Sequence, residues 1–211
     1  MRSNHRFLRI APLCAAAAFV CGPSLAQQSG GMSSSGASSR SDGYSIIPYT
    51  RRGYVGINVG RSDYKDLRCG SSLFGCDDSG TRGHVYTGGL FNDWVGMEIG
   101  ALYEGGVGRG GGTTRAEGVN LSVVGRVPVG AFNLFAKGGA TYGRTRVTAD
   151  ALSGLPAGRV RGWGRSFGAG AGYDITPNHG VVLEWARHAF RVPGGGRRDI
   201  DSTSLGYVVR F

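Results

Sequence analysis

Three histidines beyond residue 26, His84, His179 and His188, are the side chains best suited to general-base chemistry. A hydrolase needs one of them beside a nucleophile, with an acid to orient it. His84 and His188 reach Ser71 or Asp77 only if the fold gathers them at one rim, and His179 follows a Thr176-Pro177-Asn178 turn. No spacing demands a triad, so no enzyme activity is expected. Cys69 and Cys76 close a short polar stretch with no His or Cys cluster nearby, which suits a disulfide staple better than a metal site. No cofactor is expected. The third set is cationic: Arg109, Arg115, Arg144, Arg146, Arg159, Arg161, Arg165, Arg191, Arg197 and Arg198. Guanidinium groups make bidentate contacts with phosphate. No basic helix or aromatic-basic platform accompanies them, which argues against nucleic acid.

The elements that must position these residues begin after an export signal. Arg2, Arg6 and Arg9 precede the apolar run Ile10 to Val20, and Ser24-Leu25-Ala26 offers the small residues a signal peptidase reads. Residues 1–26 therefore read as a signal peptide. Its removal takes away three arginines and no acid, lowering the formal charge from +10 to +7. Cys14 and Cys21 leave with it, so Cys69 and Cys76 meet an environment in which disulfides persist. Residues 27–52 are rich in Ser and Gly and poor in apolar side chains, as a flexible leader is. The remaining domain spans residues 53–211.

Within that domain the hydrophobic period is two. The last stretch alternates Thr203, Leu205, Tyr207, Val209 and Phe211 with Ser202, Ser204, Gly206, Val208 and Arg210. The same alternation marks Tyr54 to Gly60, Val85 to Phe91, Val95 to Glu104, Val119 to Val127, Leu134 to Tyr142, Ser166 to Asp174 and Val181 to Ala186. That gives about eight strands. Short turns at Asn92-Asp93, Pro128-Val129-Gly130 and Thr176-Pro177-Asn178 alternate with long polar loops over 62–82, 105–117, 144–161 and 190–198. The expected fold is all-β: an eight-stranded antiparallel up-and-down transmembrane β-barrel. A chain ending at full strand amplitude on Phe211 needs an edge partner, which closure supplies. Tyr103, Tyr142, Tyr173, Trp185 and Phe211 fall near strand ends, as interface aromatics do. A soluble secreted barrel with its faces reversed is the competing reading. The many strand glycines oppose it, because they suit a crowded lumen better than a solvent face.

Four of these segments resemble OmpA-type outer-membrane barrels. Tyr54-Val55-Gly56-Ile57-Asn58-Val59-Gly60-Arg61-Ser62 is similar to the first strand and Val95-Gly96-Met97-Glu98-Ile99-Gly100 to the third. Tyr173-Asp174-Ile175-Thr176-Pro177 with Leu183-Glu184-Trp185 resembles the sixth-to-seventh hairpin, and Leu205 to Phe211 the eighth strand. The resemblance implies the Gram-negative outer membrane, with the N-terminus and short turns in the periplasm and Phe211 as the signal for the barrel-assembly machinery. The family's third-strand acid falls on Glu98, its fifth-strand base on Lys137 and a seventh-strand acid on Glu184. The arginine of its ion gate falls on Val182. No peptidoglycan-binding domain is expected beside the barrel, so cell-wall anchoring is not carried over.

Two expectations follow. Glu98, Arg126, Lys137 and Glu184 share the inner face, where charges persist only if paired. Such a network acts as a polar plug or as the lining of a narrow pore for ions or small solutes. Arg109, Arg159, Arg161, Arg165, Arg197 and Arg198 lie toward the outer rim, positioned for lipopolysaccharide phosphates or simply for solvent. A structural or surface-interaction role, in adhesion or envelope integrity, is expected of four basic extracellular loops. Its partners would be outer-membrane lipid and a host-surface or envelope molecule.

Overall fold

The computed structural model describes residues 47, 50, 52–64, 77–194 and 196–211. The signal peptide, almost all of the leader, Ser71 and the Cys69–Cys76 pair lie outside the described residues.

Eight strands form: β1 (Arg52–Asp63), β2 (Ser79–Leu90), β3 (Val95–Arg109), β4 (Gly112–Val129), β5 (Phe132–Thr148), β6 (Gly158–Asp174), β7 (His179–Arg191) and β8 (Arg197–Arg210). Each pairs antiparallel with the next, and β1 pairs with β8, closing the barrel. A row of paired residues that starts at Gly53 passes through Gly89, Met97, Val123, Gly138, Phe167, Arg187 and Asp201. It returns to β1 at Asp63, ten residues further on. A shear of ten over eight strands tilts them by about 40° to the barrel axis.

The alternation seen in the sequence assigns the faces. Ile57 and Val59 are 53% and 61% exposed on the outer wall, while Asn58 and Ser62 between and beyond them are buried. Val85, Leu121, Leu134, Leu183 and Leu205 are likewise exposed. Apolar side chains outward and polar ones inward reverse a soluble barrel, so this wall faces lipid. Two aromatic pairs on β5 and β6 measure the apolar band. Phe132 packs on Tyr173 with centroids 5.0 Å apart, and Tyr142 on Trp163 at 5.2 Å. They stand ten residues apart on both strands, a rise of about 25 Å at this tilt, which matches the apolar band of an outer-membrane barrel.

The outer end differs from expectation. The stretch 105–117 is strand but for Gly110 and Gly111, and strand also takes up 144–148, 158–161, 190–191 and 197–198, so these loops are shorter than expected. β3 and β4 are joined by Gly110 and Gly111 alone, both at positive φ (55° and 72°). β5 and β6 are joined by residues 149–157, where Asp150 caps a 3-10 turn by accepting from the Leu152 amide at 2.9 Å. Beyond the membrane neither strand face must be apolar, so the period-two signal fades although pairing continues. The second short turn also moves: Pro128 and Val129 stay in β4, and Gly130, at φ 63°, begins the reversal.

One irregularity re-aims the outer lumen. Tyr103 pairs with Glu117 but Gly106 pairs with Arg115, so Glu104 and Gly105 together oppose Ala116. Gly105 has φ 75°, the left-handed conformation of a glycine bulge. The bulge flips the parity of the rest of β3. Val107 and Arg109, which would otherwise continue the lipid-facing row of Tyr103, turn inward and are buried.

Candidate functional site

Three layers occupy the lumen. At the rim that holds the short turns, Asp174 gathers Arg126 (3.4 Å), Arg210 (2.8 Å) and the Asn133 amide (3.0 Å). Above them is a cavity of about 60 Å³ lined by Tyr54, Tyr86, Val124, Phe135, Val182 and Val208.

The second layer is a chain of alternating charges. Lys137 Nζ reaches both oxygens of Glu98 (2.8 and 3.0 Å) and Glu184 Oε2 (2.8 Å). Arg82 continues the chain, with Nη2 3.5 Å from Glu184 Oε1 and Nη1 3.1 Å from Glu104 Oε1, and it donates to Ser202 Oγ. The Tyr54 hydroxyl donates to Glu98 and the Asn58 amide to Glu184, each at 3.3 Å. The ammonium of Lys137 also lies 4.7 Å from the centroid of the Tyr86 ring, and aromatic faces attract cations. Such charges are tolerable away from water because each has an opposite partner.

The third layer is apolar. Tyr64, Leu102, Val107, Ala116, Phe190 and Ile200 form a buried cluster inside the outer end of the barrel. The Tyr64 hydroxyl ties it to the charged layer by donating to the Glu104 carbonyl at 2.8 Å. Arg109 covers it, donating to the Tyr64 carbonyl at 2.8 Å and to Asp78 at 3.1 Å.

The residues singled out in the sequence distribute as follows. Glu98, Lys137 and Glu184 meet in the lumen, whereas Arg126 stands apart at the mouth with Asp174. Arg82, Glu104 and Arg210 complete the two clusters. Glu104 and Arg210 were legible as inner-face residues by their alternation. Arg82 was not, because it fell in a stretch read as loop and lies in β2 instead. All ten outer arginines lie on strands. Arg159, Arg161, Arg165 and Arg197 face outward, but Arg109 and Arg198 do not, since the bulge turns the first inward and strand parity the second. Arg165 pairs with Asp199 at 3.8 Å, and Arg197 donates to the Trp163 carbonyl at 3.3 Å. Phe211 faces outward, its amide bonded to the Gly53 carbonyl at 3.0 Å.

The histidines are not gathered at one rim. His84 lies in the middle of β2, buried in the lumen with its ring stacked on Tyr86 at 5.0 Å. His188 Nδ1 lies 3.0 Å from Thr141 Oγ1, buried in the lumen. His179, at the other rim, bonds to the Tyr207 hydroxyl at 2.7 Å. Among the described residues no group of three or more His, Cys, Asp or Glu is arranged to hold a metal ion.

Residues 13–211 match the family model of the outer membrane protein beta-barrel domain. The chain belongs to that family. No curated protein matches the chain at the sequence level. Among solved structures, the barrel is similar to Neisserial surface protein A, with 13% identity and a TM-score of 0.57 over 75% of this chain and 97% of that one. OprG from Pseudomonas aeruginosa matches with 12% identity and a TM-score of 0.52 over 76% and 95% of the two chains. Ail, the attachment invasion locus protein of Yersinia pestis, matches with 15% identity and a TM-score of 0.50 over 76% and 98%. At such identities the likeness is one of fold. Membership of the family gives this barrel its place in the Gram-negative outer membrane.

Against the OmpA-type pattern the lumen shows one substitution of geometry. Val182, on which the resemblance puts the gate's seventh-strand arginine, is buried beside the lower cavity. An arginine still reaches Glu184, but it comes from the second strand, as Arg82. Lys137 meanwhile contacts Glu98 and Glu184 at once.

Proposed function

We propose that this protein is a sealed structural barrel that acts through its outer surface, in attachment or envelope integrity, rather than through its lumen. The observation that carries this reading is the double closure. An ion crossing the barrel would have to break the Glu98–Lys137–Glu184–Arg82–Glu104 chain and then pass through the apolar cluster around Phe190. Moving a charge through an apolar layer costs far more than moving it through a hydrated pore. Surface attachment also suits the name of the Yersinia protein that shares this fold. The basic groups available for such a role are strand arginines of the outer rim, Arg159, Arg161, Arg165 and Arg197, which suit lipopolysaccharide phosphates. Phe211 would serve as the assembly signal, a role that the family resemblance supports.

Planar-bilayer recording tests the reading. The refolded protein is expected to insert without discrete current steps in molar salt. Reproducible single-channel steps would instead favour a narrow pore for ions or small solutes.

A further inference from the structure

The outer wall of β4, β5 and β6 carries an arrangement that the barrel itself does not explain. Arg115 pairs directly with Arg146, and Arg146 with Arg159, so three guanidinium side chains stand in one row on adjacent strands. One row nearer the membrane, Glu117 pairs with Arg144 and Arg144 with Arg161. Like charges directly opposite each other on one sheet face repel. The Glu117 carboxylate answers Arg144, whose Nε lies 2.6 Å away. Among the described residues no carboxylate lies within 4 Å of Arg115, Arg146, Arg159 or Arg161. Four arginines thus share a patch in which no carboxylate among the described residues neutralises any of them.

The height of the patch selects what can answer that charge. The row of Arg144 and Arg161 lies two residues beyond the Tyr142–Trp163 pair, and that of Arg146 and Arg159 four residues beyond it. At this tilt the rows sit about 5 and 10 Å outside the apolar band, at the level of lipid headgroups. Immediately below, the wall is hollowed into a groove of about 680 Å³ with Glu117, Arg144 and Arg161 at its charged end. Gly83 and Ala101, which carry little or no side chain, line it together with the larger Tyr103, Val119 and Tyr142. The groove has an apolar body and a cationic rim, the two halves of a phosphorylated amphiphile.

We propose that this face binds one phosphorylated, acylated lipid of the outer leaflet. Its phosphates would lie between Arg115, Arg146, Arg159 and Arg161, and one acyl chain in the groove beneath. The inference rests on the surface-acting reading above and names its partner. Planar guanidinium groups at adjacent positions give bidentate contacts to a phosphate monoester, and the bound anion converts their mutual repulsion into shared attraction.

The test uses the refolded full barrel in neutral detergent and bisphosphorylated lipid A, its dephosphorylated form and phosphatidylcholine as probes. Native mass spectrometry reads how many lipids each barrel retains, and urea unfolding reads stability with and without lipid. One lipid A per barrel is expected, held at least about 30-fold more tightly than either other lipid. The variant Arg115→Gln/Arg146→Gln/Arg159→Gln is expected to lose that preference. In detergent alone it should be as stable as the parent or more so, because the repulsion is gone, but lipid A should no longer stabilise it. Arg187→Gln, on β7, should behave like the parent. Equal retention of the dephosphorylated lipid, or unchanged binding by the triple variant, would overturn the proposal. So would binding of a soluble polyphosphate or sulfated glycan as tight as that of lipid A, since the groove would then contribute nothing. A barrel that conducts ions refutes the sealed-barrel reading whatever lipid it holds, whereas a closed barrel without lipid preference refutes only this inference.

Discussion

Replacing Arg82 with methionine is expected to cost the folded barrel about 3–5 kcal/mol, because it strands buried carboxylates rather than because it deletes a favourable pair. Arg82 is 1% exposed and stands between Glu104 and Glu184, both buried, with Ser202 as a third partner. Without it, Glu104 keeps no cationic partner among the described residues, while Glu184 retains Lys137. The loss should therefore be felt mainly through Glu104. The double variant Arg82→Met/Glu104→Gln should recover much of the stability, since an uncharged pair of similar volume no longer leaves a bare charge away from water. Urea unfolding followed by tryptophan fluorescence, with the heat-modifiable gel band as a check on folding, measures both. A loss below about 1 kcal/mol for the single variant would place water in contact with the chain of charges.

Phe190→Ala should be as severe by a different route. The ring is 1% exposed and lies against Gly143, whose missing side chain leaves it room, and beside His188 at a centroid distance of 6.5 Å. Deleting a buried phenyl group removes its transfer free energy and leaves a cavity, a loss of about 3–5 kcal/mol. The comparison is Phe167→Ala on the lipid-facing wall, where the side chain is 51% exposed. Lipid or detergent closes around the shortened side chain there, so the loss should be much smaller. Equal losses in the two variants would mean that the outer end of the barrel is not packed as a core.

The membrane-spanning part of this fold was legible because lipid imposes a strict alternation. Every outward position from Val55 to Val59 or from Val119 to Val127 must be compatible with the apolar band, and the small or polar residues between them could only face inward. Beyond the band that constraint lapses. Gly112 to Glu117 alternates nothing recognisable, yet it is strand, held by pairs such as Thr114 with Val147 and Glu117 with Arg144. The inner face announced Glu98, Lys137 and Glu184 by parity, but Arg82 belonged to a strand end that carried no apolar signal. Arg109 was misplaced for a sharper reason. Its direction depends on one extra residue at Gly105, and a bulge marked by a single glycine is invisible in a stretch that also holds Gly106, Gly108, Gly110, Gly111 and Gly112. The arginine row on β4 to β6 depends on register between strands that are far apart in sequence, which composition does not encode.

Closure of the lumen is tested most directly by thiol access, in a Cys69→Ser/Cys76→Ser background. Val208→Cys places a thiol in the lower cavity, and Ser166→Cys places one beside His188, between the charged chain and the apolar cluster. With the barrel folded in detergent micelles, a small charged methanethiosulfonate should modify the first and leave the second untouched until urea unfolds the protein. Modification of both at similar rates in the folded barrel would mean that water and ions pass the charged layer, and the lumen would then be a conduit rather than a plug.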